Sequence, residues 1–153
     1  WWDVRPHPDF GTVELRMCDA TPTLREVSAL AGLAQALVAH LTEQVDAGAL
    51  GPPPREWTVR ENRWLAARHG IDAELIVDEH GGRLPARQLL EELVELLEPT
   101  SRRLDAGQEV ADTLELWSIG PSYLRQRRIT EAGGSLEDIV ADLARQLHTD
   151  EVS

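Results

Sequence analysis

Phe10-Gly11-Thr12-Val13-Glu14-Leu15-Arg16-Met17-Cys18-Asp19 is the stretch on which the reading of the fold turns. From Thr12 to Met17 apolar and polar residues alternate, the period of a β-strand whose successive side chains point to opposite faces. Val13, Leu15 and Met17 share one face, which predicts burial against a core. Thr12, Glu14 and Arg16 share the other. Glu14 and Arg16 then stand side by side at about 7 Å. A carboxylate beside a guanidinium is the pairing that phosphoryl transfer uses for a metal ion and a phosphate. On spacing alone, the pair reads first as the solvent face of a half-buried antiparallel strand, and the residues around it are what favour a site.

Working outward, Trp1 to Pro8 is too rich in proline and aromatics for a helix and reads as an extended lead into the strand, carrying Arg5 and His7. His7 lies between two prolines with no second histidine at metal-ligand spacing, so it reads as an exposed loop residue. Thr23-Leu24-Arg25-Glu26 has capping-box spacing and opens a long helix. Leu24, Val27, Leu30, Ala31, Ala34, Leu37, Val38, Leu41 and Val45 recur along it at helical intervals, which predicts a core stripe. Gly48, Gly51 and Pro52 to Pro54 stop it.

Thr58-Val59-Arg60-Glu61 repeats the box and predicts a second helix that Gly70 closes, with Glu61, Trp64, Leu65 and Arg68 on one face. A short strand is predicted near 73–78, ended by the turn signal Glu79-His80-Gly81-Gly82. Pro85 starts a leucine-dense helix predicted to end at Pro99, and a further helical segment, broken near Gly107, runs to Gly120-Pro121. Ser122 is expected to cap a helix bearing Arg125, Arg127 and Arg128, a positive patch that suits an anion site or a solvated helix equally. Ser135 caps the last helix, whose stripe is Leu136, Ile139, Val140, Leu143 and Leu147, with a frayed tail from His148.

The 153 residues fit a single domain, 1–153, with a strand region at 1–20 and a helical region at 21–153. A net charge of -12, from 27 acidic and 15 basic residues, argues against nucleic acid as a partner. Every basic residue is arginine, so any bound phosphate is held by guanidinium groups. No apolar run has the length of a membrane span, so no membrane partner is expected. Cys18 is the single cysteine, which excludes an internal disulfide and suits a cytoplasmic location.

Trp2-Asp3-Val4-Arg5-Pro6 followed by Phe10-Gly11-Thr12-Val13-Glu14-Leu15-Arg16 and Asp19 resembles the W-D-(V/I)-R-P…(F/Y)-G-T-(V/L)-E-(V/L)-R-x-x-D signature of the glutamate-cysteine ligase type 2 family, ATP-dependent carboxylate-amine ligases. Glu61-Asn62-Arg63-Trp64 through Arg68-His69-Gly70-Ile71-Asp72-Ala73 is similar to that family's E-N-(R/K)-W-x-A-x-R-(Y/H)-G-(L/I)-D-A segment, and Gly120 to Arg128 with Gly133 to Leu136 resembles its closing stretch. The resemblance implies an α+β chain, the mostly helical C-terminal part of a glutamine-synthetase-like antiparallel-sheet fold, to which this chain contributes one or two strands. Family members are more than twice as long, which implies an upstream half that supplies the rest of the sheet and further carboxylates.

The same resemblance implies ATP and Mg²⁺ as cofactors and glutamate with an amino-acid amine such as cysteine as substrates. It implies Glu14 as a Mg²⁺ ligand and catalytic group, and Arg16 as the catalytic partner of the transferred phosphate. Arg5, Asn62, Arg63, Arg68 and Arg125 are implied at the nucleotide or substrate pocket. A different class of function is a non-catalytic helical fragment acting as an association or anion-binding module, for which an open strand edge predicts association with the upstream half or a homodimer.

Overall fold

In the computed structural model, which describes residues 3–152, the box at Thr23 closes as expected. The Glu26 amide donates to Thr23 Oγ1 at 3.2 Å and the Thr23 amide to Glu26 Oε2 at 3.3 Å. Helix α1 (Leu24–Asp46) runs from this cap and stops before Gly48. Its packed face is built of small side chains: Ala29, Gly32 and Ala36 are buried. Gly32 admits the neighbouring helix so closely that a Cβ built on it would lie 2.7 Å from Glu109 Cβ.

Against that face lie α3 (Ala86–Arg103) and α4 (Gly107–Ile119). Ala36, Leu97 and Val110 form the sealed centre, flanked by Leu33, Leu37, Leu93, Val94 and Leu104. The bulkier stripe expected in the core is largely open instead: Leu24, Val27, Val38, Leu41 and Val45 are exposed. Helices approach on the smooth alanine and glycine row, and the branched row, spaced three and four apart, turns away. Pro99 does not end α3 as expected; Leu97, Thr100 and Ser101 around it are all buried, so packing holds the helix through Arg103. The break falls at Asp105, whose φ is 56°.

The second helix, α2 (Glu56–His69), starts two residues before Thr58, with Arg55, the residue after the proline run, as its N-cap, so the expected box at Thr58 lies inside it. Gly70 closes it with φ 60°, and a Cβ there would fall 2.0 Å from the Tyr123 hydroxyl. A 3₁₀ turn (Gly70–Asp72) leads into β3 (Glu74–Ile76), which pairs antiparallel with β4 (Arg83–Pro85), with Ile76 opposite Arg83. β3 is shorter than the expected 73–78, and the turn, with the expected Glu79-His80-Gly81-Gly82 in it, begins earlier and takes in Asp78. Asp78 Oδ1 accepts from the His80 and Gly82 amides at 2.8 and 2.9 Å, which holds its carboxyl below the usual aspartate range.

The chain ends in α5 (Ser122–Glu131) and α6 (Leu136–Thr149). Ser135 and Asp138 close a second capping box, whereas Ser122 sits inside α5 behind Pro121 and caps nothing. The expected fraying from His148 is not what folds. Helix α6 continues to Thr149, and Asp150 Oδ1 accepts from the Leu24 and Arg25 amides at 2.7 and 3.2 Å, completing the first turn of α1. The apolar stripe of α6 is open at Leu136, Val140 and Leu147. No helix among the described residues is long and apolar enough to cross a membrane.

Candidate functional site

The signature stretch forms half of a hairpin. β1 (Val4–His7) pairs antiparallel with β2 (Thr12–Leu15) in the register Val4 to Leu15, Arg5 to Glu14, Pro6 to Val13 and His7 to Thr12. The lead was expected to be extended and is a full strand; Trp1 and Trp2 lie outside the described residues. Alternation then places Arg5, His7, Thr12 and Glu14 on one face. That polar face is the more covered one: Arg5, His7 and Glu14 are half-buried, whereas Val13, Leu15 and Met17, expected in a core, are exposed. This sheet has only two strands, and two strands alone bury no face.

Glu14 is the hub of the face. Arg5 Nε donates to Glu14 Oε2 at 2.7 Å, with Arg5 Nη2 at 2.5 Å from the same oxygen. Arg16 Nη1 stands 3.7 Å from Glu14 Oε1 and His7 Nε2 3.7 Å from Glu14 Oε2. One carboxylate thus gathers two guanidinium groups and an imidazole on an open surface, an arrangement able to receive an anion beside the carboxylate. The Arg16 amide donates to the Asp3 carbonyl at 2.7 Å, and the Asp3 carboxylate pairs with Arg63 of α2 at 2.9 Å. The hairpin is thereby moored to α2.

α2 carries a second concave surface. Trp57, Arg60, Glu61 and Trp64, at i, i+3, i+4 and i+7, form one wall of an open cleft of about 600 Å³. Ile76, Gly81 and Arg83 of the β3–β4 hairpin form the other. Asn62 locks the two walls together: its Nδ2 donates to the Ile76 carbonyl at 2.9 Å and its Oδ1 accepts from the Ile76 amide at 2.7 Å.

A family model described as glutamate-cysteine ligase family 2 matches residues 1–142. The chain belongs to that family. Two of its relatives bear the name putative glutamate–cysteine ligase: number 2-1 of Frankia casuarinae, 49% identical over 97% of this chain and 39% of the relative, and number 2 of Thermobifida fusca, 45% identical over 95% of this chain and 37% of the relative. A similarly named protein of Mycobacterium ulcerans is 41% identical over 95% of this chain and 38% of its own length. This family 2 chain therefore spans about two fifths of the length of the curated relatives it matches.

The expected site residues divide into three groups. Arg5, Glu14 and Arg16 come together on the hairpin. Asn62, expected at a ligand, has its amide oxygen and nitrogen engaged by Ile76, and Arg63 is paired with Asp3, while Arg68 is exposed. Arg125 is the clear departure: expected in an anion pocket, it is 4% exposed. Its Nη1 donates to the Gly120 carbonyl at 2.6 Å, and its Nη2 donates to Glu26 Oε1 at 2.7 Å and Gln146 Oε1 at 3.1 Å. An acidic partner already fills the place an anion would take. The patch dissolves with it, since Arg127 lies 5.3 Å over the Tyr123 ring and Arg128 donates to the Ile119 carbonyl at 3.1 Å.

His7 and the cleft residues Trp57, Arg60 and Arg83 are what sequence reasoning passed over. For His7 the signal was present, two residues from Arg5 as Arg16 is from Glu14, but it shows only once the lead is read as a strand. For a divalent cation, the described residues contain no group of three carboxylate, histidine or cysteine side chains able to hold one. The Glu14 carboxylate is a hard oxygen donor of the kind Mg²⁺ takes, an ion that commonly uses one or two carboxylates and completes its octahedron with phosphate oxygens and water.

Proposed function

We propose that this chain is the part of an ATP-dependent carboxylate-amine ligase that receives the transferred phosphoryl group on its β1–β2 hairpin. The observation that carries the reading is the gathering of Arg5, His7 and Arg16 around the Glu14 carboxylate on one face. In the proposed reaction a glutamate side-chain carboxylate attacks the γ-phosphorus of ATP, giving an acyl phosphate and ADP. The amine of cysteine or another amino acid then attacks the acyl carbon, forming the amide and releasing phosphate.

Each step moves negative charge, and fixed guanidinium groups lower its cost where it develops. Arg16, the more loosely held of the two arginines, turns from Glu14 to the phosphoryl oxygens; Arg5, hydrogen-bonded to Glu14, holds the carboxylate in place. Mg²⁺, when bound, offsets the phosphoryl charge, and Glu14 is the residue here that would hold it. Asn62 and Arg63 position: one fixes the β3–β4 hairpin on α2, the other fixes β1–β2 there.

The test is amide formation by the longer protein with ATP, Mg²⁺, glutamate and cysteine. Glu14→Gln is expected to lower kcat by about 100-fold or more, the scale set by removing one preorganised electrostatic group from a transition state. Arg16→Lys keeps the charge and loses the fork, and is expected to lower kcat with little change in KM for glutamate. Wild-type turnover in both variants rejects the assignment.

The open row of α1 favours a companion reading, that this chain also associates through that helix. We place there a second copy of the chain, with the upstream part of a longer ligase as its counterpart in the whole protein.

A further inference from the structure

We propose that the cleft between α2 and the β3–β4 hairpin docks a proline-rich, acidic segment of a partner protein, its prolines on Trp57 and Trp64 and its carboxylates on Arg60 and Arg83. The charge of the lining says what sign the partner carries. On a chain with a net charge of -12, arginines find acidic partners readily. Most of those in the helices meet a carboxylate in a salt bridge, as Arg25, Arg63, Arg87, Arg103 and Arg125 do. Among the described residues, Arg60, Arg68 and Arg83 have no hydrogen-bonding, ionic or aromatic partner, and two of these three face one cleft. Glu61 is the single carboxylate of that lining, which leaves it an excess of one positive charge. Guanidinium groups left open in this way are matched by carboxylates brought from outside.

The aromatic residues say what backbone carries those carboxylates. Trp57 and Trp64 are 46% and 56% exposed, costly positions for large flat rings unless something covers them. Seven residues apart on one helix, they stand about 10.5 Å apart along its axis. A polyproline II segment turns once in three residues and rises about 9.3 Å in doing so, which brings prolines at i and i+3 onto both indoles. The residues between the two prolines then lie beside Arg60, set between the indoles on α2, and Arg83 on the opposite wall. Such a segment makes no internal hydrogen bonds, and its open amides suit Glu61, an acceptor only. The lining is set before any partner arrives. Trp64 meets His69 edge-on with ring centroids 5.9 Å apart, and the Asn62 clasp and the Asp78 turn hold Arg83 opposite Arg60, so little order is lost on docking.

Titration calorimetry of this chain with peptides of equal length reads spacing and charge separately. One peptide repeats Pro-Glu-Glu, a second repeats Pro-Gln-Gln, and a third has the composition of the first with its prolines gathered in a block. The Pro-Glu-Glu peptide is expected to bind at least about tenfold more tightly than either of the others. The double variant Arg60→Gln, Arg83→Gln is expected to bind it no better than Pro-Gln-Gln. Trp57→Ala and Trp64→Ala, changes at exposed positions, are each expected to weaken it by about tenfold. Arg102→Gln makes a like charge change on α3, at the surface pair with Glu98, and leaves the binding unchanged. Failure of the Pro-Glu-Glu peptide to saturate the wild-type chain, equal binding of the blocked peptide, inorganic phosphate binding as tightly as the peptide, or an equal loss in Arg102→Gln overturns the proposal. Because binding is read without turnover, it fails or stands independently of Glu14→Gln in the longer protein.

Discussion

Arg125 and Glu26 are an ion pair almost sealed from water, their side chains 3% and 7% exposed. Glu26 does double duty, closing the α1 cap with one oxygen and meeting Arg125 with the other. Arg125→Ala strands the Glu26 charge inside the fold, and urea denaturation is expected to show a loss of about 3–5 kcal/mol. Arg25 is more open but equally well furnished. Its Nε and Nη2 reach both oxygens of Asp112 at 3.0 Å, and Nη2 also reaches Glu115 at 2.5 Å. That fork, more than anything else, holds the Asp112 carboxyl below the usual aspartate range and pushes Arg25 up further. Below the unfolded aspartate value of about 3.9 the unfolded chain binds the proton first, so this stabilisation is complete above that pH and is lost as pH falls through the folded value. Asp112→Asn is accordingly expected to lower stability at neutral pH and to flatten the acid limb of a stability profile measured from pH 7 to pH 3. None of these partners was readable from spacing. Arg125 and Glu26 lie 99 residues apart, and an arginine that will be buried has the same local signature as one that will meet phosphate.

At the scale of single elements, the legible features were those that satisfy backbone groups locally. The box at Thr23, the cap at Ser135, the stop at Gly70 and the turn signalled by Glu79 to Gly82 all encode their own hydrogen bonds and all form, Ser135 gaining a box with Asp138 and the turn taking in Asp78. The box at Thr58 does not, because nothing prevents α2 from extending back to Glu56, where an acidic side chain also suits the helix start. Faces were less legible than spans. On α1 two stripes compete, one of small residues and one of branched ones, and periodicity cannot say which a partner helix will choose. On β2 the alternation was read correctly, yet the residues assigned to a core are outside, since the layer that would cover them is not among the described elements. Asp150 is the element no local rule anticipates, a side chain from beyond α6 that supplies the acceptor for the first turn of α1. Asp150→Ala leaves those two amides without it and is expected to cost about 0.5–2 kcal/mol in denaturant titrations, the range of a lost helix cap.

Taken whole, the molecule is a three-helix core of α1, α3 and α4 with two hairpins and the α5–α6 pair around it. The open α1 row spans Leu24 to Val45, with Leu24 and Val45 68% and 58% exposed. If that row is an association surface, sedimentation of this chain is expected to show dimer growing with concentration, and Val38→Glu, on an exposed position, to return it to monomer without loss of helix. Unchanged sedimentation of the variant rejects the α1 interface. The bond from Asp150 to Leu24 has a consequence of another kind, because it joins residues 126 apart in sequence. Closing so long a loop is slow to be rewarded during folding, which places this contact after the rate-limiting barrier, once the core helices have met. Its loss should therefore leave the refolding rate of the chain almost unchanged and quicken its unfolding, making the last link formed the latch that sets how long the folded chain survives.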